Sequence, residues 1–200
     1  MCLVVFSYQK GSERPFVLAA NRDEFHNRPT AKASFWEDIP GLLAGRDLKA
    51  GGTWLGITQN GDLAFLTNFR DPKYFAESER SRGELLTRFF NDSDDIEGFS
   101  DYLRENLSKY NGYNLIFGNP YKQVFYYSNV SDVFKELDSG IYGISNAFLE
   151  TKWPKVRKTK EAFKRFLQED KKEFPFEILG DTEPAPQNEL PDTGVGLEME

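Results

Sequence analysis

The chain opens with Cys2-Leu3-Val4-Val5-Phe6-Ser7-Tyr8, continues through the polar stretch Gln9-Lys10-Gly11-Ser12-Glu13-Arg14-Pro15, and returns with Phe16-Val17-Leu18-Ala19-Ala20. Both apolar runs are short and rich in branched or aromatic residues, which suit a pleated, half-buried surface. They predict an N-terminal β-hairpin. At its end lies the densest polar cluster of the sequence: Asn21-Arg22-Asp23-Glu24, then His26, Asn27 and Arg28-Pro29.

Working outward, Gly45 to Asn68 reads as a second hairpin with a glycine-rich lead-in at Ala50-Gly51-Gly52. Trp54 to Thr58 and Leu63 to Thr67 flank Asn60-Gly61, a dipeptide suited to the positive φ angles of a tight hairpin turn. Two helices follow. The first carries Ser81 and Glu84 at capping-box spacing, with Leu85, Leu86, Phe89 and Phe90 as its apolar face. The second is capped by Asp94 or Asp95, and Ile96, Phe99, Leu103 and Leu107 recur at helical spacing up to Asn111-Gly112. Strands resume at 113–117, 123–127 and 140–145, and a last helix runs from Pro154 to Gln168. Residues 181–200, acidic and interrupted by Pro184, Pro186 and Pro191, read as loop or weak order. Runs of strands beside runs of helices predict an α+β layered domain with largely antiparallel sheet.

The bulk numbers exclude several function classes. Two hundred residues correspond to one large domain, residues 1–200. A net charge of −7 disfavours nucleic-acid binding, which relies on clustered cations. No membrane span is expected, since no apolar run approaches the ~20 residues needed. The start has no basic n-region of a signal peptide, so the expected localisation is cytoplasmic. One cysteine rules out an intrachain disulfide, and one histidine leaves no multi-His metal site. No metal and no cofactor are therefore expected.

Cys2 stands out on chemistry alone. A small residue at position 2 permits removal of Met1, leaving Cys2 with both a thiol and an α-amine. The amine has an ordinary pKa of about 7.7–8.0 and serves as base, while the thiol starts near ~8.5. Base and nucleophile on one residue form a self-sufficient acyl-transfer centre. The competing reading is a small buried hydrophobe at a strand start. If the second strand continues through the polar cluster, Asn21 and Asp23 share one face while Arg22 and Glu24 share the other. Two roles stand open there: Asp23 holding the amine, or Arg22 lowering the thiol pKa. Asn68 and Asn146, each just past an apolar strand, offer side-chain amides for a developing oxyanion or caps for turns. Trp54 and Trp153 line a pocket or fill the core. Gly51-Gly52 lacks the following residues of a phosphate-cradling loop.

Taken together, these residues resemble the NRDE family, also called the transport and Golgi organisation protein 2 family. The resemblance rests on Met1-Cys2, Asn21-Arg22-Asp23-Glu24, Gly51-Gly52-Thr53-Trp54-Leu55-Gly56, Leu66-Thr67-Asn68-Phe69-Arg70, Gly143-Ile144-Ser145-Asn146 and Trp153-Pro154-Lys155. It covers about residues 1 to 160. It implies an N-terminal-nucleophile (Ntn) hydrolase-like αββα sandwich, two antiparallel sheets between helical layers. It also implies distant similarity to penicillin and bile-salt acylases, which use a cysteine at this position and carry Arg-Asn-x-Asp on the second strand. Against Ala20-Asn21-Arg22-Asp23 the Asn and Asp match, while the Arg is displaced by two residues. The family's later Tyr-Gly-Thr-Arg-type strand has no counterpart before Glu200, so the sequence reads as truncated or as lacking that strand.

The expected function is an N-terminal-cysteine amidohydrolase acting on a non-peptide C–N bond of a small amide. Cys2 attacks, Asp23 and Asn21 position it, Arg22 tunes it, and Asn68 or Asn146 stabilises the oxyanion. Gly52, Trp54 and Phe69 are the expected substrate contacts. The alternative is a non-enzymatic carrier of a hydrophobic ligand, haem or lipid, with His26, Met199, tyrosines or Cys2 (followed by Leu3 rather than Pro) as weak haem ligands. A third is an interaction module with a structural Cys2.

Overall fold

The computed structural model describes residues 2–24, 27–71, 73, 78–91, 95–169, 176–180 and 186. The alternation of β1 (Leu3–Tyr8) sets the layers. Val4, Phe6 and Tyr8 turn toward a second sheet, and Val5 turns toward a helix. β1 is the centre of a three-stranded antiparallel sheet in the order β10-β1-β2, with β2 at Phe16–Asn21 and β10 at Gly140–Ile144. The register runs Leu3↔Asn21 on one side and Val4↔Ile144 on the other.

The facing sheet has seven antiparallel strands in sequence order. They are β3 (Thr30–Phe35), β4 (Leu42–Asp47), β5 (Leu55–Thr58), β6 (Leu63–Asn68), β7 (Tyr113–Asn119), β8 (Gln123–Ser128) and β9 (Val133–Glu136). Leu63 and Phe65 of β6, Ile116 of β7, and Val124 and Tyr126 of β8 meet Val4, Phe6 and Tyr8 between the sheets. The Phe6 and Phe65 rings pack edge to face at 5.4 Å. Each fully buried side chain of this kind contributes about 1.5–3 kcal/mol.

The other face of the large sheet is covered by α1 (Gly83–Asn91) and α2 (Ile96–Glu105), through Leu85, Leu86, Phe99 and Leu103. The other face of the small sheet is covered by α3 (Pro154–Gln168), whose Phe163 reaches Val5 and Ala19. The architecture is thus an αββα sandwich, as the resemblance implied. No helix among the described residues is long and apolar enough to cross a membrane.

Local chemistry accounts for most boundaries. Asn60-Gly61 turns the chain between β5 and β6, with Gly61 at φ +87°. Asp95 caps α2 by accepting from Gly98 N at 2.8 Å. Pro154 begins α3, where its missing N–H costs nothing. The capping box expected for α1 does not form among the described residues: Glu84 N bonds the Ser81 backbone carbonyl at 3.1 Å, and the Glu84 carboxylate accepts from Tyr110 Oη at 2.6 Å. Three strands went unread: β3, β4 and β9. β3 is exposed at all six residues and β9 at three of its four, so neither shows the apolar alternation that marks a half-buried strand, and in β4 the alternation stops after Ala44. Asp94 and, except for Pro186, residues 181–200 lie outside the described residues.

Candidate active site

Cys2 precedes the central strand of the small sheet, and its peptide link to Leu3 is pinned from both neighbours. From β2, the Asn21 Oδ1 accepts from Leu3 N at 3.0 Å. Beyond β10, the buried Ser145 Oγ donates to the Cys2 carbonyl at 2.6 Å. Asn21 also donates to the Leu179 carbonyl at 3.2 Å, tying this corner to the 3-10 turn Phe176–Leu179. The Leu3↔Asn21 register, carried one step back, brings Cys2 opposite Arg22. β2 ends at Asn21, so strict alternation does not extend further: Arg22, Asp23 and Glu24 all border the same cavity as Cys2.

That cavity has a volume of about 550 Å³, within the range of small-molecule sites. Cys2 is buried at its floor, 8% exposed. Trp54 and the Gly52-Thr53 backbone form one wall, and Asn68 at the end of β6 forms another. Asp47 builds the glycine loop. Its carboxylate accepts from Lys49 N and Ala50 N at 2.9 and 3.2 Å, while its backbone N–H and carbonyl bond to Gly52 and Gly51. Arg28 clamps the same carboxylate at 2.6 Å. Gly52 then presses against the start of α1. A Cβ added at Gly52 would lie 2.5 Å from the Gly83 carbonyl carbon, which only glycine avoids.

The two candidate oxyanion amides differ. Asn68 lines the cavity, exposed, with no protein partner for its side-chain amide among the described residues. Asn146 is buried, and its amide donates to the Asn68 carbonyl at 2.9 Å. Asn146 therefore holds the strand end that carries Asn68. Beneath it, the buried Asn114 amide donates to Thr67 Oγ1 at 3.2 Å and to the Ala147 carbonyl at 2.9 Å. Its carbonyl accepts from Tyr126 Oη at 2.8 Å. This satisfied polar cluster fixes the segment after β10 against β6 and β7.

Burial pushes the Cys2 thiol pKa up, because the thiolate loses water. The cations Arg22 and Lys155 pull it back, and Glu24 pushes it further up. Arg22 and Glu24 are bonded to each other at 2.9 Å. Burial lowers the pKa of the Arg82 guanidinium, against the charges of Cys2 and Glu24, which favour its protonated form.

Of the sequence-predicted residues, Cys2, Arg22, Asp23, Asn68, Gly52 and Trp54 border this one cavity. Asn21 and Asn146 make the backbone contacts described above, and the Phe69 ring packs on Phe148 at 4.7 Å. His26 and Met199 lie outside the described residues. Sequence reasoning missed Ser145, Asp47 and Arg82. Ser145 follows the strand Gly140–Ile144, the same signal that drew attention to Asn68, whereas Asp47 ends β4 after Gly45-Arg46 and carries no such signal. Arg82 sat unseen within a helix start.

The family described as Transport and Golgi organisation 2 matches residues 1–200. The chain is 37% identical to the mouse (Mus musculus) Transport and Golgi organization 2 homolog over 195 residues, 90% of this chain and 68% of that protein. It is 39% identical to the human Transport and Golgi organization protein 2 homolog over 179 residues, 82% of this chain and 63% of the relative. The Drosophila melanogaster Transport and Golgi organization protein 2 is 27% identical over 188 residues, 84% of this chain and 65% of the relative.

Proposed function

Because the chain belongs to the Transport and Golgi organisation 2 family and keeps its single thiol at the floor of a charged cavity, we propose that it is an N-terminal-cysteine amidohydrolase for a non-peptide amide of a small molecule. The observation that carries this reading is the double clamp on the Cys2–Leu3 peptide, Asn21 accepting from Leu3 N and Ser145 donating to the Cys2 carbonyl, directly beside that cavity. A structural cysteine needs burial alone. A nucleophile needs its main chain held while its sulfur faces a ligand.

In this mechanism, removal of Met1 frees the Cys2 amine. The amine takes the thiol proton as sulfur attacks the amide carbonyl carbon. The carbonyl oxygen becomes an oxyanion, to which the Asn68 amide donates. The proton passes to the leaving nitrogen as the C–N bond breaks, which leaves a thioester on Cys2. Water, deprotonated by the same amine, then attacks the thioester, releasing the acid and regenerating the thiol. Asp23 orients the amine, and Arg22 favours the thiolate over the thiol. The charged lining offers a haem or a lipid tail little apolar surface.

The test is intact-mass spectrometry of untagged protein, followed by screening of small activated amides for acyl adducts. We expect a chain lacking Met1 and an adduct that disappears in Cys2→Ala. Full retention of Met1, or undiminished hydrolysis by Cys2→Ala, overturns the reading.

A further inference from the structure

Although the protein carries a net charge of −7, cationic side chains outnumber carboxylates around the cavity by six to four. Most of these cations are already engaged. Arg22 bonds Glu24 at 2.9 Å, Arg28 bonds Asp47 at 2.6 Å, Arg46 bonds Asp38 at 2.7 Å, and Arg80 meets Glu84 at 3.4 Å. Lys49 stands exposed on the loop rim. Among the described residues, Arg82 is the half-buried cation of the cavity that has no carboxylate partner.

Among the described residues its one hydrogen bond is from Nη1 to the Gly112 carbonyl at 3.1 Å. That contact anchors the guanidinium to the turn before β7 and leaves Nε and Nη2 to donate. A guanidinium presents paired donors in a rigid plane that matches a carboxylate. Taking this charge from water without an anion is costly. The first turn of α1 follows immediately, and the positive end of its helix dipole also favours negative charge. One unneutralised guanidinium balances one negative charge, so a carboxylate fits better than a phosphate monoester, which carries about −1.5 to −2 at neutral pH.

We propose that the small molecule taken by this cavity carries a carboxylate, held by Arg82 while its amide carbonyl lies against Cys2. The substrate class is then an N-acyl amino acid or a similar carboxylate-bearing amide. The amide half of this statement rests on the amidohydrolase reading, whereas the carboxylate half stands on Arg82 alone.

A single cysteine makes the test clean. Iodoacetate and iodoacetamide both alkylate a thiolate, forming S–C as C–I breaks and iodide leaves. They differ chiefly in the carboxylate. We expect the ratio of iodoacetate to iodoacetamide rates at Cys2, read by intact mass on the full chain, to exceed that of the urea-unfolded chain by about tenfold. Arg82→Gln should bring the folded protein to the unfolded ratio, and Arg82→Lys should retain part of the preference. Circular dichroism confirms that each variant is folded. N-Acetylglycine should protect Cys2 from iodoacetamide, and N-acetylglycinamide should not. Equal ratios in folded and unfolded wild type, or a preference that survives in folded Arg82→Gln, overturn the assignment. If neutral amides acylate Cys2 while the carboxylate preference is absent, this proposal fails and the hydrolase reading stands. Preference and protection without any acyl adduct uphold the carboxylate site and sink the hydrolase reading instead.

Discussion

Cys2 carries two demands that pull against each other: the burial that holds the residue in place also raises its thiol pKa. Reactivity then depends on the charges nearby, and their signs are opposed. Arg22 favours the thiolate and Glu24 disfavours it, while the two are bonded to one another. Removing either one also unmasks the other, so the paired substitutions should diverge. The midpoint of iodoacetamide alkylation against pH should lie above the ordinary thiol value of about 8.5 in the wild type. It should fall in Glu24→Gln and rise in Arg22→Gln. A common midpoint for all three proteins would show that these charges do not reach the sulfur. Ser145 presents a simpler case. Ser145→Ala leaves the Cys2 carbonyl without the hydroxyl that donates to it, at a cost of about 1–3 kcal/mol. Urea denaturation measures that loss, and an unchanged midpoint would mean that water replaces the hydroxyl. At this scale Cys2 was legible, because a thiol and an amine on one residue imply chemistry by themselves. Ser145 was not, since a hydroxyl after an apolar strand looks like any turn residue until its partner, 143 positions away, is known.

The glycine loop before β5 works as one piece with the start of α1, and neighbouring glycines there serve different ends. Gly51 has φ +77° and nothing near its missing Cβ, so its requirement is conformational. Gly52 has an ordinary φ, but a Cβ would meet the Gly83 backbone at 2.5 Å. Gly51→Ala should therefore cost about 1 kcal/mol, the usual penalty for a left-handed alanine. Gly52→Ala must part the loop from α1, costing about 1–3 kcal/mol or more, and should alter the cavity as well. Thermal unfolding ranks the two, and slowed Cys2 alkylation in Gly52→Ala alone would report the cavity. If the ranking reverses, the close approach is not what limits this site. The loop's other support is Asp47. Its pKa is lowered on balance: burial raises it, but Arg28 and the Lys49 and Ala50 N–H groups outweigh that effect. A carboxylate depressed below its unfolded value contributes stability above about pH 4 and loses it as pH falls through the folded value. Stability between pH 5 and 3 should consequently decline more steeply in the wild type than in Asp47→Asn. The pair Gly51-Gly52 was visible in the sequence as a permissive loop. Which glycine faced a helix was not, because close approach depends on an element that begins thirty residues later.

Sheet pairing is a property of the whole molecule, and local pattern reaches it only in part. The β5–β6 hairpin and α3 follow from neighbouring residues, whereas β1 pairs with β10 through Val4↔Ile144, a contact between distant parts of the chain. Periodicity says which side chains turn inward; it does not say which strand lies alongside. Nor did it reveal that three strands face seven. The mismatch leaves Phe35, Leu43 and Ile57, neighbours in register across β3, β4 and β5, exposed at 57%, 37% and 45%. The layer between the sheets must then carry the cohesion. Phe65→Ala there should cost about 3–5 kcal/mol, and Ile57→Ala far less, because Phe65 is fully buried. The same layer predicts how the protein unfolds. Val4, Phe6 and Tyr8 share one apolar cluster with residues of β6, β7 and β8, so sliding the small sheet away exposes both halves at once. Two tryptophans report on opposite layers: Trp36 packs with Leu42 and Ala44 on the large sheet, and Trp153 precedes α3 beside the small one. Variants retaining one or the other, with the remaining tryptophans changed to Phe, should show the same dependence on urea relative to their own stability, with matching m-values. An earlier transition at Trp153 than at Trp36 within one background, tracked by fluorescence against circular dichroism, would mean that α3 and the small sheet part before the large sheet melts. The cavity, built from both sheets, would then be lost in the first step.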